Sequence, residues 1–305
     1  MARRRQKNCV PLDGIVLLDK VQGDTSNQAL QRVKRLFGAC KAGHTGSLDP
    51  IATGLLPLCF GEATKVSQFL LDADKRYWAV FQMGVETDTY DAEGAVISEK
   101  PVSCTRRDIE RELKLFLGDI DQVPPMYSAV KQDGKALYKL AREGIEVERE
   151  PRRVHIYGIE LLGWENNRLE LEIHCSKGTY VRALAHDLGQ RLGCGAHMSA
   201  LRRLRVGELS LDHAVTLAQL EALDPEARKA WIRPIDEALA NLPDVTLTQL
   251  ATHYLLQGQP VSVQHGHSPG WVRLYEPENG FLGMGEILDD GRVAPKRIMR
   301  NLRKD

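Results

Sequence analysis

The stretch Gly43-His44-Thr45-Gly46-Ser47-Leu48-Asp49-Pro50-Ile51-Ala52-Thr53-Gly54 gathers an imidazole, hydroxyls and one carboxylate in a short glycine-containing run. It has no metal-ligand cluster and no second acid beside Asp49. No Gly-Lys-Ser/Thr closes it, which excludes a phosphate-cradling Walker loop. His44, Ser47 and Asp49 suggest a hydrolase triad, but Ser47 lacks the Gly-x-Ser-x-Gly elbow. A phosphoaspartate enzyme would pair its nucleophile with a further acid. What remains is a single carboxylate before Pro50. Such a group can serve as nucleophile or base, although a lone Asp-Pro most often simply starts a turn.

The elements that must hold this loop follow from periodicity. Residues 14–18 form a β-rich run, and Gly23-Asp24-Thr25-Ser26 supplies N-cap residues for a helix carrying Leu30, Val33, Leu36 and Phe37 and ending at Gly38. Residues 43–50 read as loop, 55–60 as a buried strand and 77–83 as another. Residues 84–94 read as an acidic loop. Ile109, Leu113, Phe116 and Leu117 recur at helical spacing behind Thr105. Val123-Pro124-Pro125 breaks that pattern, and an extended run over 127–131 precedes a short helix around Leu137 and Leu140 that ends at Gly144. Strands over 154–162 and 169–175 flank Asn166-Asn167, a hairpin signal. A helix opening near Thr179 carries Val181, Leu184, Ala185, Leu188 and Leu192 on one face. Strands and helices mix without regular alternation, so the fold class is α+β with a mainly antiparallel sheet.

After a proline-punctuated stretch over 223–243 come a helix (247–256) and short strands at 260–263, 271–275, 281–287 and from 293 onward. The division expected is a large domain over 10–235, with a charged, weakly periodic excursion at 124–153, and a small β-rich domain over 245–305.

Composition narrows the setting. Hydrophobic residues make up 43% and charged residues 27% of the 305, ordinary for a globular protein. No apolar run approaches a membrane span, and the basic start Met-Ala-Arg-Arg-Arg-Gln-Lys is not followed by a secretory apolar region. A cytoplasmic location is expected. The cysteines at 9, 40, 59, 104, 175 and 194 include no Cys-x-x-Cys pair, which argues against a zinc cage and against a disulfide framework. Formal net charge is zero. Basic residues nevertheless cluster at Arg3–Arg5, Arg152-Arg153, Arg202-Arg203-Leu204-Arg205 and at Lys296, Arg297, Arg300, Arg303 and Lys304. Such clusters can follow a phosphate backbone or be a solvated face.

The run from Gly43 to Pro50, leading to Gly54-Leu55-Leu56-Pro57-Leu58-Cys59-Phe60-Gly61-Glu62-Ala63-Thr64-Lys65, resembles the signature of the bacterial tRNA pseudouridine-55 synthases. The resemblance continues through Lys75-Arg76-Tyr77, Val123-Pro124-Pro125-Met126-Tyr127-Ser128-Ala129-Val130-Lys131 and Ser176-Lys177-Gly178-Thr179-Tyr180-Val181-Arg182. It covers residues 14–207 in order, and the tail fits as well. It implies that Asp49 is the catalytic carboxylate, Arg182 the cation beside it and Tyr77 the aromatic stacked on the target base. Tyr180 would form a second wall and Leu201 would close the pocket. His44 would insert into the tRNA T-loop, and Lys20, Asp91 and Lys131 would lie near the substrate. The excursion would close over the RNA, and the last domain would be a PUA-like RNA-binding module contacting the acceptor stem. The implied reaction is a cofactor-free isomerisation, with no metal; no coiled-coil heptad or large apolar surface is evident in the sequence, so a monomer is expected.

Two other readings use the same residues. A non-catalytic RNA-binding or RNA-folding protein would not need Asp49 and Arg182 together. A partner-dependent relative acting in guide-RNA particles would share the signature, but the absence of a long lysine-rich extension fits a self-sufficient enzyme. A metal-dependent phosphodiesterase built on Glu86, Asp88 and Asp91 lacks histidine partners in that loop.

Overall fold

The computed structural model describes residues 9–128, 130–132, 134–264, 266–278 and 280–299. Arg3–Arg5, Ala129, Arg300, Arg303 and Lys304 lie outside them.

Strand β1 (Gly14–Lys20) leads into helix α1 (Ser26–Leu36). Thr25 caps α1: its hydroxyl accepts from the Gln28 N–H while the Gln28 side chain accepts from the Thr25 N–H. Then come β2 (Ala42–His44), β3 (Thr53–Phe60), α2 (Ser67–Asp72), β4 (Lys75–Met83), β5 (Val85–Thr87), β6 (Val96–Glu99), α3 (Arg106–Lys114) and β7 (Gly118–Gln122). The excursion holds β8 (Lys131–Gln132), β9 (Lys135–Ala136) and α4 (Leu137–Arg142). The domain continues with β10 (Arg152–Glu165), β11 (Arg168–Cys175), α5 (Val181–Arg191), β12 (Ala196–Val206), β13 (Leu209–Ser210), β14 (Val215–Thr216), α6 (Leu217–Ala222) and α7 (Pro225–Lys229). The tail contains β15 (Asp244–Thr246), α8 (Gln249–Leu256), β16 (Gly270–Glu276), β17 (Gly280–Ile287) and β18 (Val293–Ile298).

The main sheet runs β14-β1-β3-β12-β4-β11-β10-β7, antiparallel except where β1 meets β14 and β3 meets β12. This is the α+β, mainly antiparallel architecture expected. One apolar cluster joins the sheet to α1, α3 and α5 through Val33, Ile109, Leu184 and Leu188. A second, built on Ile15, Leu17, Leu55 and Leu70, takes in Met284 and Met299 of the tail. The four-stranded tail sheet, β15-β16-β17-β18, has its own core around Leu255, Val272 and Leu274. It docks on the main domain through Tyr275 Oη to Asp236 at 2.7 Å, Lys65 Nζ to the Ile298 carbonyl at 2.7 Å, and the edge-on pair Phe69–Trp271.

Several local expectations are corrected. The run 84–94 is not wholly loop, because β5 pairs with β6. Tyr127 and Ser128 form a bend, not an extended run, and of the described residues in 127–131 only Lys131 enters a ladder, with Gln132. The strand at 260–263 reduces to a single bridge between Val261 and Val293. β12 is a strand the patterning does not predict, because its Arg202-Arg203-Leu204-Arg205 run has no apolar alternation. A disulfide joins Cys9 to Cys40, contrary to expectation. The Val10–Ala39 bridge brings the two segments together and leaves their Cα atoms 4.9 Å apart, within bridging range. The hairpin turn is as expected: Asn166 and Asn167 take φ of 52° and 60°, the left-handed pair a tight two-residue turn requires.

Candidate active site

Asp49 sits in the connection between β2 and β3, and its loop is pinned from several sides. The Leu48 N–H donates to Ser26 Oγ at 2.7 Å, and that hydroxyl donates back to the Leu48 carbonyl at 3.1 Å. The Gly23 N–H donates to the Pro50 carbonyl at 2.8 Å. Lys20, at the end of β1 and only 1% exposed, sends its ammonium to the carbonyls of Ala52 at 2.7 Å and Val21 at 2.9 Å. Ser26, one residue past the cap, thus serves the loop rather than the helix. Only the fold could reveal that.

The β3–β12 contact sets the loop's other end. A Cβ on Gly54 would lie 2.4 Å from the Arg203 carbonyl oxygen, and Gly54 has φ +95°, so a side chain is excluded twice over.

Arg182 is the second residue of α5, and its side chain is 5% exposed. It is therefore a buried cation, not a solvated helical arginine. Its guanidinium lies 3.2 Å from Asp49 Oδ2 and 3.3 Å from Asp91 Oδ2, and donates to the Tyr127 carbonyl at 2.6 Å. Asp91 is buried, and its other oxygen accepts from Thr89 Oγ1 at 2.6 Å and the Glu93 N–H at 3.1 Å. The residue before it, Tyr90, takes φ 66°, an uncommon conformation for an aromatic. One buried arginine therefore spans two carboxylates and the root of the excursion. The Asp49 side chain keeps 38% of its surface exposed, so the carboxylate is held in place yet reachable.

Burial pushes the Asp49 carboxyl above the usual range, and Asp91 adds to this; Arg182 and Lys20 pull it back. Burial lowers Lys20, against the pull of Asp24 and Asp49. Burial and the Arg203 charge lower the His44 imidazole, favouring the neutral ring. His44 lies on β2, and its Nδ1 is buried with no hydrogen-bond partner among the described residues.

Tyr77 is buried on β4, and Leu201 is 8% exposed on β12, opposite Ala79. Tyr180 caps α5, and Arg182 Cζ stands 5.9 Å from its ring centre. Gln122 clamps the Tyr180 backbone at both ends, donating to its carbonyl at 3.1 Å and accepting from its N–H at 2.8 Å. The structure thus brings Asp49, Asp91, Arg182 and Lys20 together, with Tyr180 flanking the arginine. Lys131 is exposed on the excursion and makes no polar contact with this group among the described residues. Gln122 and Arg203 carry no sequence signal of their own; Arg203 reads as part of a basic cluster open to phosphate or solvent, yet it is 1% exposed. Of its neighbours, Arg202 pairs with Asp19 at 2.7 Å. Glu86 bonds Gln190 and lies 3.6 Å from His186, Asp88 caps the Ala95 N–H, and no cluster of three metal-ligating side chains occurs among the described residues.

The site is a carboxylate on a pinned loop beside a buried arginine, carried on a mixed, mainly antiparallel sheet, and comparison with known proteins puts the chain among the pseudouridylate synthases. The chain belongs to the TruB family of these enzymes. The model for the TruB family pseudouridylate synthase N-terminal domain matches residues 34–181. That for the tRNA pseudouridylate synthase B C-terminal domain matches 182–240, and that for the pseudouridine synthase II TruB C-terminal region matches 243–299. The chain is 54% identical over 294 residues to tRNA pseudouridine synthase B of Stutzerimonas stutzeri (strain A1501), covering 95% of this chain and 96% of that one. It is 52% identical over 308 residues to the protein of the same name from Yersinia pestis (strain Pestoides F), covering 97% and 94%. Among solved structures it is similar to a chain of a Cbf5-Nop10-Gar1 complex, with TM-score 0.73 and 26% identity over 95% of this chain and 85% of that chain.

Proposed function

We propose that this enzyme converts uridine 55 in the T-loop of tRNAs to pseudouridine, with Asp49 as the catalytic carboxylate. The observation that carries the reading is the buried Arg182, fixed by Asp91 and the Tyr127 carbonyl and lying 3.2 Å from a partly exposed Asp49. The reaction breaks the C1′–N1 bond, turns the uracil and rejoins it through C5; C5 loses its proton and N1 gains one, so there is no redox change and no hydrolysis. Asp49 acts as nucleophile or base while positive charge develops on the sugar. The carboxyl must be ionised to do either, and Arg182 and Lys20 oppose the burial that disfavours that state.

The target base must leave the helix stack to reach Asp49, and stacking against Tyr77 and Tyr180 offsets part of that cost, at about 1–3 kcal/mol per base. A neutral His44 suits the space the base vacates, where an imidazole can stack and hydrogen-bond. Leu201 closes the pocket. The domain over 10–235 binds the T-stem-loop, its excursion 124–153 folding over the RNA with Lys131 directed to phosphate. The PUA-like domain over 245–305 reaches the acceptor stem. The enzyme works as a cytoplasmic monomer; among the described residues no helix is long and apolar enough to cross a membrane.

The partner-dependent reading has one observation in its favour, the likeness to a chain solved in a Cbf5-Nop10-Gar1 complex. The near-full-length match at 54% identity is to a protein named tRNA pseudouridine synthase B, which favours tRNA as the substrate. The test is pseudouridine formation on an unmodified tRNA transcript by wild type and Asp49→Asn, with no metal, cofactor or other protein added. Product at uridine 55 with wild type alone is expected. Tight RNA binding without product by wild type would overturn the reading in favour of a binding or partner-dependent role.

A further inference from the structure

Helices α1, α3, α6 and α8 each begin at a threonine whose hydroxyl accepts from an N–H of the first turn. Helix α5 begins instead at Tyr180, whose side chain caps nothing. An aromatic is a poor residue for that position, because it offers the free N–H groups of the first turn no acceptor. The backbone there is held from another strand instead.

Gln122 is 2% exposed and closes β7. Its amide nitrogen donates to the Tyr180 carbonyl at 3.1 Å, and its amide oxygen accepts from the Tyr180 N–H at 2.8 Å. The same carbonyl accepts from the N–H groups of Ala183 at 3.1 Å and Leu184 at 3.2 Å, so it is also the first acceptor of α5. The N–H and carbonyl of one residue belong to the peptide planes on either side of its Cα. Fixing both fixes the direction of the Tyr180 Cα–Cβ bond, and leaves the ring only its own side-chain torsions. A carboxamide suits this task, because it carries a donor and an acceptor on one carbon. A carboxylate only accepts, and an apolar side chain does neither.

The anchor is the main sheet. Gln122 is still paired with Arg152 in the β7–β10 ladder, and the excursion leaves the sheet after it. The Tyr180 ring is partly exposed, and Arg182 Cζ stands 5.9 Å from its centre. A buried amide is favourable only where its polar atoms are paired. Both side-chain hydrogen bonds of Gln122 among the described residues go to the one residue that walls the pocket beside the arginine.

We propose that Gln122 is a positioning residue for the isomerisation, clamping the Tyr180 backbone to the edge of the main sheet so that the Tyr180 ring is aimed at the target base. This rests on the roles of Asp49 and Tyr180 proposed above. Gln122 touches no substrate; it acts through Tyr180. Methionine in its place keeps the length of the side chain and loses both hydrogen bonds, so the ring is left free to swing.

The test is a double-mutant cycle read in single turnover, with enzyme in excess over an unmodified tRNA transcript. The variants are Gln122→Met, Tyr180→Leu and the pair Gln122→Met/Tyr180→Leu, each checked by urea denaturation and by RNA affinity. Gln122→Met is expected to slow conversion roughly tenfold or more while RNA affinity stays within about twofold. With Tyr180→Leu already present there is no ring to aim, and the further loss from Gln122→Met shrinks to about threefold or less. A smaller loss from Gln122→Met alone, a loss that merely tracks RNA affinity, or a further loss above about threefold in the Tyr180→Leu background overturns the inference and leaves the role of Asp49 standing. A wild-type rate for Tyr180→Leu, beside an inactive Asp49→Asn, overturns the role of Tyr180 and the inference with it. If Gln122→Met does not fold, the same cycle run with Gln122→Glu, which keeps the acceptor and loses the donor, decides by the same criterion.

Discussion

Removing Arg182 should cost stability mainly because it strands Asp91, and this can be separated from its effect on the reaction. In Arg182→Met the Asp91 carboxylate, whose side chain is 3% exposed, loses a cation 3.3 Å away. Breaking one side of a buried ion pair costs about 3–5 kcal/mol. Asp91 keeps its bonds from Thr89 and the Glu93 N–H on the other oxygen, which places the loss near the lower end, about 3 kcal/mol. With a urea slope of about 3 kcal/mol/M for a chain this size, the unfolding midpoint falls by roughly 1 M. Adding Asp91→Asn removes the stranded charge and should recover about 2 kcal/mol of that loss. The Arg182 bond to the Tyr127 carbonyl is absent from both variants and cancels in the comparison. Conversion of tRNA should stay low in both, because Asp49 lacks its cation in each. A double variant no more stable than Arg182→Met would refute the reasoning, since the loss would then come from packing and not from an unpaired charge.

Two further outcomes follow from the same geometry. The Asp49 carboxyl is raised above 3.8 by burial, so its ionised form is depleted as pH falls through that raised value and the rate should fall with it. Lys20→Met removes a charge that lowers Asp49 and should move this acid limb to higher pH; a limb that stays in place in single-turnover pH profiles contradicts the assignment. Gly54→Ala should cost roughly 3 kcal/mol or more in urea denaturation, because its Cβ collides with the Arg203 backbone. Gly23→Ala, at φ +96° but facing open space, should cost only about 1 kcal/mol, and equal losses would remove steric approach as the cause.

The sequence alone was enough for much of this protein, and for identifiable reasons. Apolar runs mark β1, β3 and β4, and helical spacing marks α3 and α5, because β1 and β3 are buried along almost their whole length, the helices bury one face, and local chemistry sets the ends and the Asn166-Asn167 turn. The motif around Asp49 also pointed to the residues that gather there, through resemblance and not through spacing. What was illegible depends on partners far apart in the chain. β12 reads as a basic cluster because Arg203 is buried against backbone carbonyls, and no local pattern announces such partners. Asp91 and Arg182 each look like a solvated charge until α5 and the β5–β6 hairpin are packed together. Ser26, Gln122 and the Cys9–Cys40 pair gain their roles in the same way. Local sequence determines which segments form and where they stop. Which buried charges find partners is decided by tertiary packing, because desolvation and its compensation are properties of a site that no single segment contains.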